Sequence, residues 1–213
     1  MTDLLMINIL TIAIIVLAYL IGSFPTAVLV GKLFYHVDIR TKGSGNAGAT
    51  NTVRVLGWKA GIPVMVFDVF KGWFVLQLPF LFNLGFFTSN QLIYFQIILG
   101  VAVVVGHILP VFAGFNGGKG VATLLGVTIA LFPEASGLTA LIFFLVLFLK
   151  GYVSLASIIA SISFPIIEIL ILHHQDSLAL IILSIMVGIF IPYTHRKNII
   201  RLIKGEESKF LYK

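Results

Sequence analysis

Cysteine is absent from the 213 residues, charged side chains make up only 10% of them, and 8 carboxylates face 14 lysines and arginines. Without cysteine there is no disulfide, no thiolate metal site and no thiol nucleophile, although the compartment is left open. The shortage of charge excludes an ordinary soluble domain, where about a quarter of residues are charged. What is present instead is apolar: 59% hydrophobic residues and a mean hydropathy of +1.10. Such a chain belongs in a bilayer, as one helical bundle from residue 1 to 213. No cleavable leader is evident, because the first apolar run is too long and lacks a basic start and a small-residue cleavage site. The formal net charge of +6 is modest, so its distribution carries more information than its size.

Apolar runs place a first span from Leu4 to about Phe34, kinked near Gly22 and Pro25, and a second from about Ala60 to Leu84. A third runs from about Gln91 to Val111. The segment from Val121 to Leu149 is long enough for one oversized crossing, or for two short ones divided at Pro133-Glu134. Charge parity decides between them. With two crossings, followed by spans at about 152–172 and 178–193, every Lys- or Arg-bearing connection falls on one side. The turns at 85–90, 133–134 and 173–177 hold no Lys or Arg and lie outside. The expected fold is therefore an all-α membrane bundle of about seven transmembrane helices, N-terminus out and C-terminus in.

That topology gathers four polar stretches on the cytoplasmic face: 41–54, 116–123, 152–157 and 195–204. One reads Asn116-Gly117-Gly118-Lys119-Gly120 before an apolar helix expected near Val121. Glycines let backbone approach a ligand, successive N–H groups can converge on an anion, and a helix N-terminus and Lys119 add positive charge. Another reads Gly43-Ser44-Gly45-Asn46-Ala47-Gly48-Ala49-Thr50-Asn51, with Arg54 close behind. Its short polar groups suit hydrogen bonding, and Arg54 can clamp a phosphate through two parallel bonds. A helix starting near Thr50 puts Asn51 and Arg54 on one face, while Ser and Asn here could also cap that helix. Two singly basic, glycine-rich loops on one side exceed what turns require, and point to phosphate.

These stretches resemble the signature motifs of the PlsY-type acyl-phosphate:glycerol-3-phosphate acyltransferases. The likeness rests on Gly43 to Asn51 with Arg54, on Gly106-His107-Ile108-Leu109-Pro110 through Thr123, on Tyr152 to Ser157 and on His195 to Glu206, with Asp68-Val-Phe-Lys71-Gly72 also matching. It covers the whole chain in order. The resemblance implies a multi-pass enzyme of the bacterial inner membrane that takes the first acylation step of phospholipid synthesis. It would transfer a fatty acyl group from acyl phosphate to the primary hydroxyl of glycerol 3-phosphate, giving lysophosphatidic acid and phosphate at the cytoplasmic face. It implies functional roles for Ser44, Arg54, Lys119, Ser154 or Ser157, His195 and Asn198. Asn46, Thr50, Asn51, His107, Gly117, Gly118 and Gly120 fall on substrate-lining positions. Asn116 stands where many relatives would carry lysine, leaving Lys119 as the main cation of its loop. Neither a cofactor nor a metal is implied. The partners are the two substrates and membrane lipids, with no nucleic acid; transient contact with a soluble acyl-phosphate-producing enzyme stays open.

A protein base is hard to find. His107 is followed by Phe112 where a His-x4-Asp pair would need Asp, and Asp68 lies one turn from Lys71, as an ion pair would. A substrate phosphate oxygen is the expected proton acceptor. His107 can also hold its own loop beside Pro110. His173-His174 with Asp176 has the look of a metal pair but lacks further ligands. Glu168 is expected to be paired or reaching for the interface. The tail 201–209 reads as a surface segment near anionic headgroups. A phosphate transporter would use similar loops, but no internal repeat is visible and the polar groups do not sit at the midplane. A non-catalytic lipid-binding protein would not need four polar stretches.

Overall fold

The computed structural model describes residues 2–85, 87–172 and 177–210. Among them there is no strand. The helices are α1 (Thr2–Gly22), α2 (Thr26–Tyr35), α3 (Ala49–Leu56), α4 (Trp58–Val75), α5 (Leu78–Leu81), α6 (Ser89–Ile108), α7 (Val121–Leu131), α8 (Pro133–Lys150), α9 (Val153–Ile166, continued by a π turn Ile167–Ile171), α10 (Leu178–Thr194) and α11 (Arg196–Ile203).

Proline writes most of the boundaries. Pro25 follows the break between α1 and α2, whose axes bend by 42°. The second span stops at Val75 instead of reaching Leu84, because the Pro79 ring would collide with the carbonyl four residues earlier. Helix α6 opens on a capping box between Thr88 and Gln91 and ends just before Pro110. Pro133 begins α8, dividing the long apolar segment as charge parity requires.

Among the described residues three helices are individually long and apolar enough to cross a bilayer, and counting the bent pairs α1–α2 and α10–α11 brings the number to five. Helix α7 is apolar but only 11 residues long. Helix α4 has 18 residues and carries Lys59, Asp68 and Lys71. Phe67, Phe70 and Trp73 on α4, and Leu141, Phe144, Leu145 and Phe148 on α8, are exposed. Water would not tolerate that much contiguous apolar surface, whereas lipid does.

The chain divides into two compact units, Met1–Ala130 and Leu131–Lys213. In the first, α1 packs on α6 at very close range: a Cβ built on Gly22 would overlap the carbonyl of Val103, and one on Gly106 that of Tyr19. Small residues permit this approach, the usual basis of tight packing in lipid. Helices α2, α3 and α4 enclose Ala27, Val28, Ile39, Ala47 and Val64 beneath the first polar loop. In the second unit α9 lies between α8 and α10, and its buried face holds Ser154, Ser157, Ser161 and Glu168. Glu168 is therefore turned into the protein and does not reach for the interface. His173, His174 and Asp176 lie outside the described residues.

Candidate functional site

In the first unit the loop 39–48 is organised by one side chain. Asn51, 2% exposed, donates from Nδ2 toward the carbonyls of Ile39 (3.0 Å), Lys42 (3.1 Å) and Asn46 (3.0 Å). Its Oδ1 accepts the Ser44 N–H at 2.8 Å. Asn51 thus shapes the loop from inside: its amide protons are committed to main-chain carbonyls, its Oδ1 accepts the Ser44 N–H, and at 2% exposed it supports the loop instead of lining it, unlike its expected place among the substrate-lining groups. Arg54, three residues later, is exposed and makes no ion pair among the described residues. The shared face therefore splits at its edge, with the amide turned inward and the guanidinium outward. Capping differs from expectation too: α3 starts after Gly48 with no side-chain cap. Ser44 is exposed, and Asn46 and Thr50 are half-buried.

The second loop is tied to the first. Arg40 bonds Asp38 through Nε (3.0 Å) and Nη2 (2.8 Å), and its Nη1 reaches the Ala113 carbonyl at 2.9 Å. The Arg40 guanidinium holds the Asp38 carboxyl well below the usual range, against the opposing effect of burial. Gly117 N–H donates to Ile108 O (3.1 Å) and Gly118 N–H to His107 O (3.2 Å). These two donors close the end of α6 instead of converging on an anion, the second correction to the sequence expectation. Their lack of a Cβ answers a steric need: a Cβ on Gly117 would overlap the His107 carbonyl, and one on Gly118 the His107 Nε2. Gly120 has φ +81°, a left-handed turn that delivers the chain into α7 at Val121. Lys119 stands half-buried between them.

Beneath both loops lies a small cavity lined by Thr26, Ala47, Asp68, His107, Asn116 and Gly118, among others. His107 is 7% exposed and belongs to this floor, and its main-chain carbonyl accepts the Gly118 N–H.

The second unit builds a different cluster. His195 is buried, and its Nδ1 lies 2.9 Å from the Ile191 carbonyl, which assigns the ring proton to Nδ1. Glu207 accepts Ser154 Oγ–H (2.7 Å) and Asn198 Nδ2–H (2.7 Å) at Oε1, and Arg201 Nε–H (2.8 Å) at Oε2. Its side chain is 6% exposed. Burial pushes this carboxyl upward, but the bonds from Asn198, Ser154 and Arg201 outweigh it and hold the group below its ordinary range. Ser157 Oγ–H instead bonds the Val153 carbonyl of its own helix at 2.9 Å. Of the two serines, Ser154 therefore joins Asn198. The tail is a surface segment, as expected, with 203–206, 208 and 209 exposed, but it is tied down: Glu207 is inserted, Phe210 N–H bonds the Gly151 carbonyl (2.7 Å), and Lys209 sits over the Tyr152 ring.

Comparison with known proteins decides the family. A glycerol-3-phosphate acyltransferase family model matches residues 12–205. The glycerol-3-phosphate acyltransferase of Staphylococcus carnosus is 44% identical, covering 93% of this chain and 96% of that one. That of Chlorobaculum tepidum is 40% identical over 94% and 97%. Among solved structures, PlsY, an integral membrane glycerol 3-phosphate acyltransferase, in its glycerol 3-phosphate form is 38% identical with TM-score 0.82, covering 94% of this chain and 95% of that one. Its lysophosphatidic acid form gives 37% and 0.80, over 93% and 94%.

The chain belongs to the PlsY-type glycerol-3-phosphate acyltransferases.

In this acyltransferase the first unit brings the Ser44–Arg54 and Gly117–Gly120 segments together through Arg40 and the Ala47–Gly118 approach. The second unit brings Ser154 to Asn198, with His195 at the start of the same short helix. Sequence reading missed Glu207 and Arg40. A carboxylate one residue beyond Gly205-Glu206 in an otherwise basic tail was the available signal for Glu207. Nothing in the order of residues marks Arg40 as the link between loops 73 residues apart.

Proposed function

We propose that the chain transfers a fatty acyl group from acyl phosphate to the primary hydroxyl of glycerol 3-phosphate, releasing lysophosphatidic acid and inorganic phosphate. The observation that carries this reading is the locking together of two glycine-rich loops, one bearing an outward Arg54 and the other Lys119. Two phosphate-bearing reactants need preformed positive sites, and holding them together is worth up to about 7–11 kcal/mol of the barrier. With Gly117 and Gly118 N–H groups occupied, the cations and the first turn of α7 meet the anion.

The glycerol hydroxyl oxygen attacks the acyl carbonyl, the bond from that carbon to the phosphate oxygen breaks, and phosphate departs with its electron pair. The hydroxyl proton passes to a substrate phosphate oxygen. Stabilising the departing phosphate matters more than a strong base here. His195, Ser154 and Asn198, which the second unit groups at the starts of α11 and α9, are assigned substrate-contacting roles as well.

Five spans by length plus α4 and α7 make the seven of the proposed topology, N-terminus out and the site at the cytoplasmic face of the bacterial inner membrane. Lack of native cysteine makes this easy to test: Thr2→Cys should react with an impermeant maleimide in intact spheroplasts, and Ser208→Cys only after permeabilisation. Activity is tested with purified protein, palmitoyl phosphate and glycerol 3-phosphate, which should yield lysophosphatidic acid and phosphate in equal amounts. No product from palmitoyl phosphate, with product from palmitoyl-CoA, would overturn the donor. A rate loss near 10⁴ for His195→Ala with binding intact would instead identify a protein base.

A further inference from the structure

Asp68 and Lys71 lie 2% exposed inside the first unit, with Lys71 Nζ 2.8 Å from Asp68 Oδ1 and Asp68 on the lining of the cavity beneath both loops. A buried ion pair is weak evidence for stability, since well-packed apolar residues of similar volume often serve as well or better. Its neighbours say what it holds. Lys71 also donates to the carbonyls of Gly22 (3.1 Å) and Phe24 (3.3 Å), so its three protons are placed and the break between α1 and α2 is anchored. The same Asp68 Oδ1 accepts from Thr26 Oγ1 at 3.1 Å, at the start of α2. His107 Nδ1 of α6 faces that oxygen at 3.7 Å, within ion-pair range though longer than a hydrogen bond. On its other edge the imidazole lies directly against Gly118, and the His107 carbonyl accepts the Gly118 N–H. A continuous chain of contacts thus runs from the buried pair to the residue before Lys119.

We propose that Asp68 and His107 are positioning residues: the carboxylate orients the imidazole, and the imidazole sets the pose of Gly118 and with it the phosphate-facing Lys119. Neither touches substrate. Their effect falls on affinity for glycerol 3-phosphate and not on the chemical step. The inference rests on the acyltransferase reading, because it takes the loop after His107 to hold a substrate phosphate.

The test uses full-length protein in detergent, with glycerol 3-phosphate binding followed by calorimetry alongside steady-state assays. Asp68→Asn and His107→Asn should each raise KM for glycerol 3-phosphate about tenfold while kcat stays within about threefold, the pattern of lost ground-state binding. Asp68→Asn leaves Lys71 short of its counter-charge; should it fail to fold, His107→Asn, which keeps the pair whole, carries the test. The double variant should do no more than the stronger single one, since both act through one chain of contacts. His107→Asn should also relieve Gly118→Ala, whose methyl would otherwise meet the ring. A fall in kcat at unchanged KM, unchanged kinetics, or additive effects would each overturn the proposal. If wild-type protein makes no product, the functional reading fails separately, and the calorimetric arm still decides whether Asp68 and His107 control binding.

Discussion

Asn51 and Glu207 each organise a loop from within, yet one is neutral and the other charged. Asn51 bonds only main-chain groups, so it shapes the 39–46 loop without changing its charge and leaves Arg54 facing outward. Glu207 bonds side chains, orienting Ser154 and Asn198 and drawing in Arg201. An amide scaffolds a loop without adding negative charge beside it, and where the first unit does use carboxylates, at Asp38 and Asp68, each is paired with a cation, Arg40 or Lys71. A basic tail can accommodate a carboxylate and gains order from it. The same physical need, satisfying buried polar groups, is met by a neutral amide in one loop and by a charged carboxylate in the other.

The contrast breaks most visibly at Arg54. Arg54→Ala should lower kcat/KM by about 10²–10³ without changing thermal stability, and Arg54→Lys should recover little, because an ammonium cannot reproduce a two-pronged contact. Wild-type turnover in Arg54→Ala would remove the reason for a neutral scaffold beside it. Next, Asn51→Ala strands buried carbonyls and the Ser44 N–H, costing about 2–3 kcal/mol and raising KM for glycerol 3-phosphate; Glu207→Gln should cost about 1–2 kcal/mol and shift melting more than KM. Equal kinetic profiles for the two variants would erase the distinction between shaping a loop and orienting side chains.

Acid sharpens the comparison further. The Glu207 carboxyl is held below its ordinary value of 4.5, so its stabilisation is complete above that pH and is lost as pH falls through the lowered folded value. Melting temperature should therefore drop on the acid side in wild type, with a shallower drop in Glu207→Gln and an undiminished one in Asn51→Ala. The smallest effect separates the serines. Ser157→Ala removes a bond to its own helix and should change stability and activity by less than about 0.5 kcal/mol, whereas Ser154→Ala should cost roughly 1 kcal/mol and loosen Asn198.

Much of this was legible in the residues. Helix existence, the kink near Pro25, the break at Pro133, the start of α7 at Val121 and the Asp68–Lys71 pair all follow from apolar period, proline and charge spacing. Such features are local, and sequence neighbours determine them. The roles within the loops were less accessible. Asn51 reads equally well as a ligand or a staple until its four partners are in place, and glycines that seem to open a path for phosphate turn out to make room for His107. The insertion of Glu207 likewise depends on where α9, α11 and the tail meet.

By itself, the order of residues determined that this chain lives in lipid as helices and that its polar groups gather in four short stretches. Scarcity of charge and the hydrogen-bonding demands of a backbone without water leave few other outcomes. Only the tertiary structure decided which of those polar groups hold the protein together and which face outward. That choice turns on distances between segments far apart in the chain, such as Arg40 to Ala113 and Asp68 to His107, and no local spacing encodes them.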